Sequence, residues 1–486
     1  MAEKKTKKPV KQSVKQPAKP QAKQPVKQPV KQQAKQTAKQ QAKQQAKQQV
    51  KPPVKQEPKP QVKQQVKQPL INPFEIARQN IDTAAKKMKL DPGLTEILKN
   101  PQRMLELSLP IRMRNGHIRV FKGFRCQYND LRGPTLGGIS YDPALTADGV
   151  MANACWMMLK CAVANIPYGG ASGGIVVNPS ELNDRELEAL TRRFAYALRD
   201  FIGPDKDIPT PDVHNSDRIM AWFVDTYSTL NGTPKPAVIT GKPVEVGGSH
   251  GRTDAVGRGC VITIREAVFA LGIDLTKASV AVVGMDDAGA ITGQMISDLG
   301  ATIIAVCDQK SGIYNPNGLN IGDVIKHQTA KTNKDRSVKG FPGSKPVTKD
   351  KTLELNCDIL IAAESQNIIA KTNARKIRAR IVAEASNGTT TPEADEILFK
   401  NNVFVVPDIL ANAGGESVAY FEWVQNIEGL PWTEEEVAQK LERQMIGAFR
   451  DVYEKHRKNK IDMRTAAYML AIERVAKVFE LRGLWP

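Results

Sequence analysis

Lys160, Ser172 and Asp212 are the side chains in the first half of the sequence whose types and settings suggest chemistry. Ser172 is flanked by glycine pairs in the stretch IPYGGASGGIVV, residues 166–177, which runs into a short apolar segment predicted as a strand. Glycine loses more conformational entropy on folding than any other residue, so several glycines together usually mark a place where the backbone lies close to another group. No histidine or carboxylate adjoins Ser172, so nothing in the local sequence activates it as a nucleophile.

Lys160 and Asp212 each have two interpretations. Lys160 interrupts an otherwise apolar predicted helix at about 146–164. Because lysine is rarely buried without a partner, either its ammonium reaches solvent at the helix end or it binds an anion in a cleft. Asp212 lies in the proline-flanked stretch DIPTPDV, where an aspartate serves either a turn or a functional site.

The segment 277–308 has the layout of a dinucleotide-binding unit, with a strand, a glycine turn, a helix and a second strand. Gly284 ends the first strand, Gly289 stands at the third fingerprint position, and Asp308 follows 24 positions after Gly284. An acid there suits the ribose hydroxyls of NAD better than the phosphate of NADP. The middle glycine is replaced by Asp286, whose charge repels a phosphate by roughly 3 kcal/mol at about 5 Å and an effective dielectric of about 20. We therefore expect NAD binding to be weak or lost.

Short apolar segments alternate with helical spacers through the second half of the chain. Predicted strands at 358–363, 379–385 and 403–408 follow the dinucleotide unit. This alternation predicts an α/β fold with a parallel, doubly wound sheet. Elsewhere the pattern predicts strands at 103–113 and 117–127 and helices at about 73–89, 183–201, 215–230, 254–271 and over the last 70 or so residues.

Nearly all of the excess positive charge lies in residues 1–70. This segment has 19 lysines, no arginine and two acids, which give +17 of the total +19. A lysine recurs at every fourth position from Lys11 to Lys67, and aromatic residues are absent. Such a composition cannot bury enough surface to fold, so we predict a disordered tail. Two interpretations of the tail remain open: a solubilising extension, or non-specific binding of nucleic acid or another polyanion.

The six cysteines and five histidines are scattered through the sequence. The cysteines form no CxxC pair and lie in apolar or strand-like settings, as expected of reduced thiols in the cytoplasm. The histidines have no metal-ligand spacing, and we expect no metal site. No apolar run reaches the ~18 residues that a membrane span needs, so we expect no membrane association.

From about residue 74 to 484 the sequence resembles the glutamate dehydrogenase family, which includes leucine, phenylalanine and valine dehydrogenases. The resemblance lies in GFRCQYNDLRGPTLGGISYDP, WMMLKCAVANIPYGGASGGIVV, IGPDKDIPTPDV, SGIYNPNGL, EASNGTTTPEADEIL and LANAGGESVAYFEWVQN. It implies NAD(P)-dependent oxidative deamination of an amino acid, usually in a hexamer. It also implies a substrate (dimerisation) domain at 71–240, a Rossmann domain at 241–410 and C-terminal helices at 411–486 that pack back on the substrate domain.

The resemblance assigns roles to individual residues. Ser172 matches the family's catalytic lysine, whereas Asp212 matches the proton-transfer aspartate and is kept. Lys160 matches the lysine that pairs with the substrate α-carboxylate. Leu136 and Ala419 replace the lysine and serine that bind the side-chain carboxylate of glutamate. Besides Gly284, Asp286, Gly289 and Asp308, the residues assigned to the cofactor are Arg252, Val256 (a threonine in the family), Asn387 and Asn412.

These replacements affect the chemistry, the side-chain pocket and the cofactor site together. The first hypothesis is a catalytically silent or severely impaired subunit with a regulatory or structural role, in a homo-oligomer, expected to be a hexamer, or in a mixed oligomer with an active paralogue. The second is an active NAD-dependent dehydrogenase of glutamate or an apolar amino acid. The third is an oligomer that binds polyanions through residues 1–70.

Overall fold

The computed structural model describes residues 72–364 and 367–484, except for the side chain of Asp287. The tail predicted at 1–70 lies outside the described residues. The described residues belong to one compact unit that contains two β-sheets.

The first sheet has five strands in the order β1-β2-β4-β3-β5. The β1–β2 and β2–β4 pairs are antiparallel, whereas β3 runs parallel to both β4 and β5. This arrangement brings β4 and β5 to either side of β3. The strands are β1 (Arg103–Arg112), β2 (Ile118–Asn129), β3 (Thr135–Tyr141), β4 (Gly169–Ile175) and β5 (Asp207–Pro211).

The second sheet has seven strands in the order β12-β11-β10-β6-β7-β8-β9. Its first five strands in this order are parallel, which confirms the predicted doubly wound α/β arrangement. The two remaining strands are antiparallel and were not predicted. The strands are β6 (Ser279–Val283), β7 (Thr302–Cys307), β8 (Gly312–Tyr314), β9 (Lys345–Val347), β10 (Ile359–Ala362), β11 (Ile381–Glu384) and β12 (Phe404–Val406).

The helices follow the predicted positions closely, and many begin at a side-chain cap. Asn183 and Glu186, for example, form a reciprocal capping box at the start of α4. No helix in the described part of the chain is long and apolar enough to cross a membrane. The helices are α1 (Pro73–Met88), α2 (Pro92–Lys99), α3 (Ala147–Val163), α4 (Asp184–Leu198), α5 (Asp217–Asn231), α6 (Ala255–Ala270), α7 (Asp287–Asp298), α8 (Ile321–Thr329), α9 (Lys349–Leu353), α10 (Pro392–Lys400), α11 (Asp408–Ala411), α12 (Gly414–Glu428), α13 (Glu434–Asn459) and α14 (Met463–Arg482).

Helix α3 is buried on nearly all sides. It packs on β2 and β4 of the first sheet, while α1 and α14 cover its other side. A helix enclosed in this way needs apolar residues all round, which explains the absence of a polar face in its sequence. Helix α3 also carries Lys160 in its last turn, so this lysine is held inside the protein.

The C-terminal helices contact both halves of the described chain. Helix α14 packs on α1 and α3 beside the first sheet, whereas α12 and α13 pack against α6, which precedes the second sheet. The C-terminal helices thus contact elements on both sides of the predicted domain limits at 240 and 410. These limits stay a prediction.

A buried arginine joins α14 to the second sheet. The Arg464 guanidinium donates to Glu384 at 2.6 Å, to Asp395 at 2.6 Å and to Asp408 at 2.7 Å. One cation thus holds three acids, and the excess negative charge favours keeping a proton in the cluster. Burial raises the pKa of Asp395 to about 8, although Arg464 opposes the shift. Burial also raises the pKa of Glu384.

We expect the free energy of unfolding to fall as the pH rises from about 4 to about 8. Folded Asp395 keeps a proton in this range, whereas an unfolded aspartate, with a pKa of about 3.9, has released it. Asp395→Asn should flatten this dependence by up to about 1.4 kcal/mol per pH unit, the limit for one proton. Urea unfolding across this pH range measures the slope, and Glu396→Gln, at an exposed neighbour, is the control. An unchanged slope in Asp395→Asn would contradict the assignment.

Candidate functional site

A cavity of about 230 Å³ brings together residues from both halves of the described chain. Seven of the thirteen residues predicted for the site line it: Lys160, Ser172, Asp212, Arg252, Val256, Asn387 and Asn412. The six that do not line it are Leu136, Ala419, Gly284, Asp286, Gly289 and Asp308. Two cations, Lys160 and Arg252, and two carboxylates, Asp212 and Glu416, lie in this lining.

The glycines around Ser172 form a strand rather than a loop before a strand. Strand β4 contains Gly169–Ile175, and Ser172 pairs with Cys126 on β2. A Cβ on Gly170 would lie 2.3 Å from the carbonyl oxygen of Ala154 in α3, and one on Gly173 would lie 2.4 Å from that of Phe124. The glycines therefore allow β4 to approach the backbones of α3 and β2. Ser172 is 2% exposed.

Lys160 has an internal carboxylate partner. Its Nζ lies 3.5 Å from Oε1 of Glu416, in the first turn of α12. The two residues are 5% and 9% exposed. The Lys160 ammonium is therefore buried and paired with a carboxylate of the protein itself. Neither interpretation of the sequence included this partner.

Asp212 and Arg252 are held by neighbouring hydroxyls. The Ser140 hydroxyl donates to Asp212 Oδ2 at 3.0 Å, and a Cβ on Gly138 would lie only 2.7 Å from the Asp212 Cβ. Arg252 donates from Nη2 to Thr210 Oγ1 at 2.9 Å. The absence of a side chain at Gly138 thus leaves room for Asp212, and the Ser140 hydroxyl holds its carboxylate at the cavity.

The remaining lining residues of the predicted cofactor site lie together. Asn412 Nδ2 donates to Asn387 Oδ1 at 3.3 Å, while the buried Oδ1 of Asn412 has no hydrogen-bond partner within the described residues. Val256 lies in the first turn of α6, where its Cγ2 would be 2.9 Å from a Cβ on Gly415. This corner of the cavity combines amide groups with a close-packed apolar wall.

Leu136 and Ala419 are both fully buried in one hydrophobic cluster with Tyr168, Ile208 and Val418. They pack in the core rather than in the cavity lining. Neither residue lines the cavity, so their predicted role in selecting the side chain of the substrate stays a prediction.

In the turn after β6, Gly284 and Gly289 lie too close to neighbouring backbone for any side chain to fit. Gly284 has a φ of +100°, and a Cβ there would lie 2.6 Å from the backbone of Ala363. A Cβ on Gly289 would lie 1.9 Å from the Gly284 carbonyl oxygen. Asp286 is the N-cap of α7, and its Oδ1 accepts a hydrogen bond from the Gly289 backbone N–H at 3.3 Å. A carboxylate thus occupies the helix N-terminus, where a dinucleotide fold normally binds pyrophosphate.

Asp308 is held by backbone groups at the end of β7. Its Oδ1 accepts from the N–H groups of Lys310 and Ser311 at 2.7 Å each, and its Oδ2 accepts from that of Val338 at 2.6 Å. These bonds shape the tight connection into the antiparallel strand β8. Its predicted contact with a ribose stays a prediction.

Comparisons with known proteins address the family. Residues 101–229 match the model described as Glu/Leu/Phe/Val dehydrogenase, dimerisation domain, and residues 247–483 match that of Glutamate/Leucine/Phenylalanine/Valine dehydrogenase. The chain is 45% identical to the glutamate dehydrogenase of Thermotoga maritima over 414 residues, which cover 85% of this chain and 99% of that protein. The chain belongs to the glutamate/leucine/phenylalanine/valine dehydrogenase family.

Further members of the family are similar over the same region. An NAD-specific glutamate dehydrogenase of Clostridioides difficile is 44% identical over 85% of this chain and 98% of its own length. The crystal structure of a hetero-hexameric glutamate dehydrogenase from Thermus thermophilus, in a Leu-bound form, superimposes with a TM-score of 0.78. It is 34% identical and covers 86% of this chain and 99% of that chain. The predicted family and fold class are confirmed.

Among the lining residues that the sequence analysis missed, Glu416 is the charged one. Its place in NAGGES, at the start of a helix, is typical of an acid that interacts with the helix dipole. The signal that could have identified it is the apolar sequence that follows, which indicates a buried helix. An acid at the start of such a helix needs a partner, and Lys160 was the one cation already predicted to lie inside an apolar helix.

We expect Gly170→Ala to destabilise the protein by about 1–3 kcal/mol, because the added methyl group would press on the α3 backbone. Gly447→Ala is the matched control. It changes a glycine inside α13 that has open space around its Cα, so alanine should stabilise the helix by up to about 1 kcal/mol. Chemical denaturation measures both, and equal stability of the two variants would contradict the packing role of the glycines.

Proposed function

We propose that this protein is a glutamate dehydrogenase family subunit with lost or severely impaired catalysis, which serves as a regulatory or structural partner. The observation that carries the proposal is Ser172, which is buried in the cavity lining where the family resemblance expects a catalytic lysine. A serine hydroxyl cannot supply the charge or the proton transfer of an amine near neutral pH. Asp212 alone would then face the substrate without its catalytic partner.

The fit of the dinucleotide is the second support. The family includes relatives named as NAD-specific, so a nicotinamide cofactor is the expected one. The Asp286 carboxylate lies at the N-terminus of α7 and accepts from Gly289, where the pyrophosphate would need those donors for itself. The turn therefore does not fit NAD in the usual way, and we infer that NAD binding is weak or lost.

The main alternative is an active NAD-dependent dehydrogenase of glutamate or of an apolar amino acid. It is favoured by the names of the relatives and by the presence of Lys160, Asp212, Asn387 and Asn412 in one cavity. The replacements at 172 and 286 act on different steps of the reaction, so their effects should compound. For this reason we prefer the silent subunit.

The oligomer is proposed to be a hexamer, either of this chain alone or mixed with an active paralogue. The Thermus thermophilus protein, described as hetero-hexameric, is a structural precedent for a mixed assembly in this fold. We propose a cytoplasmic location, supported by six buried cysteines that form no disulfide in the described residues.

We expect the purified protein to give no measurable NAD- or NADP-linked turnover of glutamate, leucine, phenylalanine or valine. Loss of general acid–base help typically costs about 10²–10⁴ in rate, before any loss of cofactor binding. The reductive assay, with ammonium and a panel of 2-oxo acids, measures this by absorbance of the reduced cofactor. A glutamate dehydrogenase of the family is the positive control. Robust turnover by the unmodified protein would contradict the proposal and favour the active dehydrogenase.

Variants separate the two proposed defects. Ser172→Lys alone should not restore turnover, because Asp286 still opposes the cofactor. Combined with Asp286→Gly, it should recover more activity than either single change. Recovery by Ser172→Lys alone would show that Asp286 is compatible with the cofactor.

Residues 1–70 are proposed to bind polyanions weakly and without sequence preference, because they carry a net charge of +17 and no aromatic residue for stacking. We expect the affinity for duplex DNA to fall steeply between low and physiological salt. Deleting residues 1–70 should abolish binding, as measured by fluorescence anisotropy. Equal binding by the full-length and shortened proteins would assign the interaction to the body instead.

A further inference from the structure

Three side chains of the cavity lining each have a buried polar atom without a hydrogen-bond partner within the described residues. These atoms are Nε of Arg252, Oδ1 of Asn412 and Oε2 of Glu416. Asn412 and Glu416 are only 4% and 9% exposed. A buried polar atom that stays unpaired lowers the stability of the protein, so such atoms around a cavity indicate a ligand that pairs them.

The three side chains lie close together in the fold. Asn412 caps the C-terminus of α11, and Glu416 lies in the first turn of α12, only four positions later. A Cβ on Gly415 would lie 3.9 Å from Nη1 of Arg252, so the guanidinium lies beside the same turn. One small molecule in the cavity can therefore reach all three groups.

The unpartnered atoms determine which ligand groups they can bind. Arg252 Nε is a donor, and its positive charge suits a carboxylate oxygen. Another nitrogen of this guanidinium donates to the neutral Thr210 hydroxyl, which does not compensate the charge. Asn412 Oδ1 and Glu416 Oε2 are acceptors, and an ammonium group offers them up to three N–H donors. A carboxylate and an ammonium group on one small molecule form the zwitterion of an amino acid.

The charge balance of the lining favours the same ligand. Lys160 and Arg252 balance Asp212 and Glu416, so the lining has no net formal charge, and a zwitterion adds none. A 2-oxo acid adds one negative charge and has a carbonyl oxygen where the amino acid has its ammonium group. Because this oxygen is an acceptor, it cannot pair with the two acceptors of the lining.

We propose that Glu416 is a specificity-determining residue: its Oε2 recognises the ammonium group of an amino acid, so the cavity binds the amino acid more tightly than the corresponding 2-oxo acid. The ligand carboxylate binds Arg252, because Lys160 is already paired with Glu416 Oε1 at 3.5 Å. This inference deepens the proposed function and rests on it, because a subunit without turnover can act only through the ligand that it holds.

Isothermal titration calorimetry of the full-length protein, without cofactor, tests the preference. The amino acid is the tightest binder among glutamate, leucine, phenylalanine and valine. It is compared at equal ionic strength with its own 2-oxo acid and with the carboxylic acid that lacks the amino group. We expect the amino acid to bind at least tenfold more tightly than either. A smaller difference, or no binding of any of the four amino acids, would overturn the inference.

Glu416→Gln tests the residue that carries the argument. It keeps the side-chain size, removes the charge that faces the ammonium group and releases Lys160 for a ligand carboxylate. It should therefore weaken binding of the amino acid at least tenfold and bring its affinity within about threefold of that of the 2-oxo acid. Glu428→Gln, at an exposed acid at the end of the same helix, is the matched control and should change neither affinity.

A purely structural role of Glu416 would weaken both ligands alike and leave the ratio of their affinities unchanged. An unchanged ratio in Glu416→Gln would therefore overturn the inference. If that variant does not fold, the comparison of ligands on the wild-type protein still decides.

The reductive assay on the same samples keeps this inference separate from the proposed function. Turnover together with a preference for the amino acid contradicts the silent subunit alone. An absence of both turnover and preference contradicts this inference alone. Turnover without the preference contradicts both.

Discussion

The close approach of β4 to α3 is the contact on which the site depends. At Gly170 the strand lies against the helix backbone with no room for a side chain, so strand and helix hold one another in register. Ser172 projects from that strand, and Lys160 lies in the last turn of that helix. Their relative position is therefore set by main-chain packing and survives any change of side chain at 172. Either a serine or a longer side chain at 172 would therefore meet the same main-chain surroundings.

Two carboxylates of the chain stand where the family would bind ligand anions. Glu416 pairs with Lys160, the lysine that the resemblance assigns to the substrate carboxylate. Asp286 caps α7, the helix whose N-terminus would bind the pyrophosphate of the cofactor. Each satisfies a group that would otherwise be left with a costly unpaired charge or an orphaned N–H. Under the proposed function, such replacements would stabilise the protein without a ligand and reduce the free energy that a ligand gains on binding.

Much of the fold could be predicted from local sequence, because hydrophobic period and capping residues act over a few positions. The parallel part of the second sheet and most helices follow this rule. The antiparallel strands β8 and β9 could not, since they are three residues each and depend on the turn that Asp308 organises. Strand β4 was misplaced because glycine disfavours strands, unless another backbone approaches as closely as α3 does.

The site was predicted less completely than the fold. Seven predicted residues share the cavity because they belong to motifs of the family. Glu416 was missed because its partner is 256 positions away in the sequence. Leu136 and Ala419 lie in the core rather than in the lining, which residue type alone does not reveal.

The Arg464 cluster has a consequence for synthesis of the chain. Glu384, Asp395 and Asp408 all leave the ribosome before the arginine that neutralises them, which follows Asp408 by 56 positions. Until Arg464 emerges, packing these acids together would bury three carboxylates without their cation. The second sheet therefore reaches its final packing only after Arg464 has emerged, whereas the first sheet has all of its strands much earlier. A chain that stops before α14 leaves the three acids without the cation that allows them to be buried, and becomes a substrate for quality control.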